Sequence, residues 1–327
     1  MTTSNKIFVQ NEFAPLKKVV LAASEFGYPV EVRPEDLRFL DEAAIEDSAI
    51  NKGKDYSEAH PEIQAQWELE RVNLKKMLEK HGVEVVEARK LTDAEKQFNP
   101  KDGYANFFTR DPFFVVGNYV VEAAMRFLHR RHEVWPLRDL LWKAVEKADC
   151  TYVSAPFPQV APADDLTLGN GSFIEGGDVL VLDKHVLVGN SGLASNDRGF
   201  QWLSKLLSPL GYTVEQVRFH PDILHLDCAL GLIKPGLMVV CNDAFLDGIP
   251  AVVKDWTPIH VTLEEASNLA TNGLPLSQEV YVTDPVFKHI GDQIEQHGVT
   301  VEYVDFKITR SFGGSFRCST QPLLRCE

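Results

Sequence analysis

HGVEVVEA (81–88) recurs in altered form as LGYTVEQV (210–217) and HGVTVEYV (297–304). In each copy a glycine (Gly82, Gly211 or Gly298) follows a segment of helical periodicity and precedes alternating β-branched residues. Glycine is the residue that most readily ends a helix in the left-handed conformation. The phrase therefore predicts helix, C-terminal cap and strand, three times over. The helices it closes are predicted at 61–80, 197–209 and 285–296. KADCTYVSAP (147–156) is a fourth, glycine-less copy after a helix at 135–148.

Further strands are predicted ahead of these helices. They lie in LKKVVLAA (16–23), FFVVGNYVVEA (113–123), DVLVLDKHVLVGN (178–190) and LIKPGLMVVCN (232–242). The last three fold back at short turns, 117–118, 183–184 and 234–236. The unit is strand–turn–strand–helix–strand. Its irregular spacing argues against a fixed-period solenoid. It fits an α/β chain of units that close on themselves, as propeller blades do. The polar stretch 27–60 predicts an insertion over the surface. The chain 1–327 otherwise reads as one domain.

The 327 residues carry a formal net charge of -14, which disfavours nucleic acid or an anionic membrane as partner. No apolar run reaches the roughly 18 residues of a membrane span, and no leader pattern opens the chain, so the expected location is the cytoplasm. The five cysteines (Cys150, Cys228, Cys241, Cys318, Cys326) form no CxxC pair. They predict reduced thiols rather than a disulfide framework or a zinc site. HRRH (129–132) reads as a solvated or carboxylate-binding face, not as a metal site.

Four stretches place titratable residues among large apolar ones: FFTRDPFF (107–114), FIEGGDVL (173–180), LHLDCAL (224–230) and GGSFRCST (313–320). Buried charges are costly unless paired, so such places are candidate sites. Each alone has a plain structural reading: an Arg110–Asp111 salt bridge, a tight turn at Gly176-Gly177, a core histidine with a capping aspartate, an inert thiol. Read as a strand, LHLDCAL puts His225 and Asp227 on one face. Together the stretches supply a nucleophile, a base and an orienting acid, with carboxylates to spare. Surplus carboxylates point to a cationic substrate, and a planar guanidinium pairs well with carboxylates. Gly313 and Gly314 predict a turn that presents Cys318, which is expected to be the most readily alkylated thiol.

In this order the four motifs resemble the guanidino-group-modifying superfamily of arginine deiminases, dimethylarginine hydrolases and amidinotransferases. The resemblance covers most of the chain outside 27–60. It implies a five-bladed α/β propeller, the pentein fold, with pseudo-fivefold strand–strand–helix–strand repeats. It also implies Cys318 as nucleophile, His225 as general acid/base and Glu175 as the acid partner of His225. Asp111, Asp227 and Asp178 would be substrate-binding carboxylates, and Arg130 would contact a substrate carboxylate. No metal or organic cofactor is implied. The partners are a small guanidino substrate and an amine acceptor, and a homo-oligomer is compatible with the family. VVGNYVVEAAMRFLHRRHE (115–133), RGFQWL (198–203) and HLDCALGLIKPGLMVV (225–240) resemble amidinotransferases. EGGD (175–178) resembles the hydrolases, since transferases more often carry an Asp-Ala-Ala-Asp-like stretch there. The second carboxylate-binding arginine of the deiminases, expected near 193–194, is absent from GLASN (192–196). The expected activity is amidino transfer from arginine or a related donor to an amine. Hydrolysis of a guanidino substrate is the alternative, and a non-catalytic binding protein of the same fold is the third reading.

Overall fold

The structure, a computed structural model, describes residues 6–31, 42–159 and 168–327. In chain order its first elements are β1 (Phe8–Val9), β2 (Leu16–Leu21), β3 (Glu25–Gly27), α1 (Glu42–Ile50), α2 (Tyr56–Ala59), α3 (Pro61–Lys80) and β4 (Glu84–Glu87). Next come α4 (Asp93–Lys96), β5 (Tyr104–Asn106), β6 (Phe113–Val116), β7 (Tyr119–Glu122), α5 (Trp135–Val145), β8 (Thr151–Ser154), β9 (Val179–Leu182), β10 (His185–Asn190), α6 (Asp197–Leu207) and β11 (Thr213–Arg218). The chain continues with β12 (Leu230–Lys234), β13 (Leu237–Val240), β14 (Thr257–His260), α7 (Leu263–Ser267), β15 (Leu274–Pro275), β16 (Val280–Thr283), α8 (Lys288–Glu295), β17 (Thr300–Tyr303), α9 (Lys307–Ser311) and β18 (Thr320–Arg325).

Five small sheets repeat one plan, in which a first strand runs antiparallel to a second and the second runs parallel to a third. They are β6–β7–β8, β9–β10–β11, β12–β13–β14, β15–β16–β17 and β18–β2–β4. The recurring phrase supplies third strands, and Gly82, Gly211 and Gly298 have φ of 75°, 81° and 76° at the helix exits. The parallel crossover between second and third strand is α3, α5, α6 or α8 in four of the sheets. The sheet β12–β13–β14 differs. Residues 242–256 cross over there with only a short 3-10 turn, Asn242–Ala244, and the third strand reads TPIH. The sequence reading missed this strand because no helix and glycine announce it.

Successive side chains of one strand enter different cores. Phe113 and Val115 pack with Leu137, Leu141 and Leu323, while Phe114 and Val116 pack with Val179, Val181 and Leu203. Val19 and Leu21 face Leu74 and Leu78, while Val20 joins Phe113. Burial on both faces explains why these strands are continuous apolar runs.

The fifth sheet joins distant parts of the chain. β18 lies between β1, which is parallel to it, and β2, which is antiparallel. From β1 the chain crosses to the other sheets. Val9 exchanges backbone hydrogen bonds with Gly117, and Glu12 N–H donates to Val181 O.

Of the expected insertion 27–60, residues 32–41 lie outside the described residues. The rest folds over an aromatic wall. Tyr56 packs 5.1 Å from Phe312 and 5.8 Å from Trp67, and Cys318 belongs to the same buried cluster as Phe107 and Phe108. His60 Nε2 lies 3.0 Å from both Tyr28 Oη and Asp47 Oδ2, pinning this cover to itself.

Candidate active site

The titratable motifs share one structural address. Thr109–Pro112 leads into β6, Glu175–Asp178 into β9, His225–Cys228 into β12 and Ser315–Ser319 into β18. Each is therefore the entry loop to the first strand of a sheet. The remaining entry loop, Thr271–Asn272 before β15, has no titratable residue to mark it in the sequence.

Hydrogen bonds link these loops into a ring. Arg110 N–H donates to Cys318 O at 3.1 Å, and Gly176 N–H donates to Asp111 O at 3.1 Å. Leu226 N–H donates to Asp178 Oδ1 at 3.0 Å. Thr271 Oγ1 donates to Asp227 O at 2.9 Å, and Cys318 N–H donates to Asn272 Oδ1 at 3.2 Å. Gly176 and Gly177 are dictated by this crowding. A Cβ on Gly176 would lie 1.9 Å from Arg110 O, and one on Gly177 would lie 2.7 Å from both Asp111 Oδ1 and the His225 ring. The LHLDCAL stretch is not the strand expected. Leu226–Cys228 is a 3-10 turn, and the strand begins at Leu230.

Inside the ring, His225 Nε2 is 2.8 Å from Glu175 Oε2, and its Nδ1 is 3.8 Å from Asp111 Oδ1. Cys318 Sγ is 3.8 Å from Asp227 Oδ2. Cys318, His225, Glu175, Asp111 and Asp227 are all at most 3% exposed. Burial alone would push the imidazole down, but the carboxylates of Asp111, Glu175 and Asp178 outweigh it and raise its pKa to about 10. Burial and the charges of Asp227 and Asp111 push the Cys318 thiol well above its usual value. The resting pair at neutral pH is thus a neutral thiol and an imidazolium. Burial and this upward shift of the thiol count against Cys318 alkylating first. Cys150 and Cys326 are less buried and should react ahead of it in the substrate-free protein.

Two expected substrate contacts do not fit the geometry. Arg130 is 6% exposed and already engaged. It donates to Asp111 Oδ2 at 2.7 Å and to both oxygens of Glu133 at 2.8 and 2.9 Å, and it lies 3.7 Å from Glu175. Against burial, the His225 imidazolium and then the Arg130 guanidinium hold Asp111 ionised, and Arg130, so engaged, keeps little for a substrate carboxylate. Asp178 accepts the N–H of Leu226 and of Ser195, so it fastens two loops together. Nor do Arg110 and Asp111 form the salt bridge that is the plain structural alternative for this stretch, since Arg110 Nε donates to Arg317 O. In HRRH, His132 packs against Trp135 at 4.1 Å, and Arg131 donates to backbone carbonyls of Arg126 and Gln159.

Arg317, beside the candidate nucleophile in GGSFRCST, is a site residue that the sequence expectations do not include. It donates to Asp227 Oδ2 at 2.8 Å and to both oxygens of Glu12 at 3.1 Å. No local pattern marks Glu12 or Asn272. Burial opposes ionisation of Glu12, but the Arg317 charge lowers its pKa from 4.5 to about 2. The sign follows: a depressed carboxyl pKa adds stability above pH 4.5 that is lost as pH falls toward 2. Glu12→Gln should therefore lower stability at pH 7 by about 3 kcal/mol, and by much less at pH 3. Urea unfolding of both proteins at the two pH values measures this, and an equal loss at both would remove the charge from the explanation.

A cavity of about 350 Å³ adjoins the ring, lined among others by Arg126, Phe173, Gly192, Asn196 and Arg198. Arg126, which lines this space, donates its backbone N–H to Glu175 Oε1 at 2.9 Å. Neither Cys318 nor His225 lines this space. Among the described residues no group of three or more His, Cys, Asp or Glu is arranged to hold a metal ion, and no helix is long and apolar enough to cross a membrane.

The chain is 26% identical to an uncharacterized protein, YkgA, of Bacillus subtilis (strain 168), over 99% of this chain and 98% of that one. It is 28% identical to a putative inosamine-phosphate amidinotransferase 2 of Streptomyces griseus, over 68% of this chain and 69% of that one. Its fold matches SxtG, an amidinotransferase from Microseira wollei in the saxitoxin biosynthetic pathway, with a TM-score of 0.81 at 22% identity, covering 98% and 97% of the two chains. Residues 33–325 match the family described as N,N dimethylarginine dimethylhydrolase, eukaryotic. The chain belongs to this family and with it to the guanidino-group-modifying superfamily.

Proposed function

We propose that this protein breaks a guanidino C–N bond through Cys318 and passes the amidino group to an amine acceptor. The observation that carries the reading is the ring of entry loops, which gathers Cys318, the His225–Glu175 pair and the carboxylates Asp111 and Asp227 in one buried place. The five like-patterned sheets and the closed ring support a five-bladed propeller, which we take as a single domain with 27–60 as its cover.

A guanidinium held by Asp111 and Asp227 brings a positive charge to the carboxylates that keep the Cys318 thiol neutral. The thiol then loses its proton to solvent, and the thiolate attacks the guanidinium carbon. A C–S bond forms, the C–N bond to the departing amine breaks, and the His225 imidazolium gives that amine its proton. The acceptor amine then attacks the amidino carbon and His225 takes its proton. A new C–N bond forms, and the C–S bond breaks to return the thiolate. Glu175 holds the imidazole and stabilises its charged form throughout.

Hydrolysis, with water as acceptor, is the second reading. The family match favours it, as does the fit at Gly176 and Gly177. Alanines there, as in the transferase-like stretch, would meet Arg110 O and the His225 ring. The amidinotransferase-like stretches 115–133 and 225–240 weigh the other way. Incubation with L-arginine, with and without a panel of primary amines, separates the readings by mass spectrometry. We expect an amine to accelerate ornithine release and to appear as a new guanidino compound. Oxygen-18 entering citrulline from water at a rate indifferent to amines would replace transfer by hydrolysis. No product from any guanidino compound would overturn both.

A further inference from the structure

Asn272 sits in the one entry loop that brings no titratable group to the ring. It is fully buried. Its Oδ1 receives the N–H of Ser315 and of Cys318, both at 3.2 Å, and its own carbonyl receives Arg317 N–H at 3.2 Å. Three of the four residues 315–318 thus hang on one asparagine. The preceding residue, Thr271, holds the backbone of Asp227. The dipeptide sets the nucleophile in register with a carboxylate proposed to bind the substrate.

Two N–H groups converge on one atom of the Asn272 carboxamide, so that atom is the oxygen and the amide orientation is fixed by its partners. The other atom, Nδ2, is buried with no hydrogen-bond partner. Buried donors are rarely left so, because the lost hydration is not replaced. A guanidinium cannot satisfy it, having only donors. The group near this amide that gains acceptor strength during the proposed reaction is the Cys318 sulfur, on becoming a thiolate.

We propose that Asn272 is the positioning residue of the nucleophile: its oxygen fixes the Cys318 backbone, and its free Nδ2–H is held for the thiolate. This rests on the proposed role of Cys318. It also explains why the residue is an amide. A carboxylate would accept the same two N–H groups but would add negative charge beside a thiol that already faces Asp227 and Asp111. The other groups whose ionisation couples to this sulfur are Arg317, Arg71 and Cys228.

The test compares Asn272→Asp and Asn272→Ala with the unsubstituted protein. Thermal unfolding, the pH profile of iodoacetamide labelling at the Cys318 peptide, and kcat and KM for L-arginine with a primary amine are read for each. Asn272→Asp keeps the acceptor, so it should unfold near the unsubstituted temperature while its labelling profile moves alkaline by about one pH unit. Asn272→Ala should lose about 100-fold in kcat with KM within about threefold, since displacement of the nucleophile affects the chemical step more than binding. A labelling profile of Asn272→Asp that superimposes on the original overturns the proposal. So does an Asn272→Ala protein that keeps kcat within about threefold. If Asn272→Ala does not fold, the Asn272→Asp profile decides alone. Labelling needs no substrate, so it still decides the role of Asn272 if no guanidino compound is turned over and the functional reading fails.

Discussion

Cys318→Ala and Cys318→Ser proteins are expected to fold normally and to turn over guanidino substrates at least about 10⁴-fold more slowly. The fold should survive because the ring is held by the Cys318 backbone, through Asn272 Oδ1 and Arg110 N–H, and not by its sulfur. The side chain is small, and the carboxylate 3.8 Å from its sulfur, Asp227, keeps its bond to Arg317. Without sulfur there is no group to receive the amidino carbon, and in a site that works by covalent transfer nothing else substitutes for it. Circular dichroism together with the arginine assay checks both halves. A folded Cys318→Ala protein running near the original rate removes Cys318 from the mechanism. Labelling gives a companion reading. Iodoacetamide should modify Cys150 and Cys326 first in the free protein, and a guanidino ligand should change the rate at Cys318 alone.

His225→Asn should cost about 10³-fold in kcat, near the middle of the range for a positioned acid/base. In the proposed reaction the imidazolium acts first as an acid. With a pKa raised to about 10, the unsubstituted enzyme should lose activity as pH rises through that value. Glu175→Gln removes one of the carboxylates that raise it, so this alkaline limb should move to lower pH by about one to two units. Rates measured between pH 7 and 11 test the assignment. A limb that stays in place in Glu175→Gln would mean another group is titrating. The same shift has a stability sign. A histidine raised from 6.5 to about 10 adds stability below pH 6.5 that fades as pH rises through 10.

What the sequence reveals here is what is local. A glycine at a helix exit is required by the chain geometry on the spot, so Gly82, Gly211 and Gly298 mark β4, β11 and β17. β14 follows a crossover without a regular helix, and its TPIH carries no such mark. The candidate residues were legible because charge among phenylalanines and leucines is unusual in any context. Their partners were not. Arg130 looks like a substrate ligand until Glu133 and Asp111 are seen on either side of it. Glu12 and Asn272 bear on the site only because the chain returns, about 305 and 46 residues later, to bring Arg317 and Cys318 against them. No window of sequence contains both ends of such a contact.

The sheet that unites β1, β18 and β2 also sets an order of events. A ribosome releases the N-terminal strands early, and for most of synthesis β1 and β2 stand apart with the strand between them missing. The imidazole and the carboxylates can gather while the chain is still growing. Cys318 stands two residues ahead of β18 and emerges only after every other group of the ring. The sulfur proposed as nucleophile and the strand that seats it are delivered together, so a nascent chain stalled short of residue 318 lacks the group on which the proposed reaction turns. On the proposed mechanism, catalytic competence would mark the completion of this sheet.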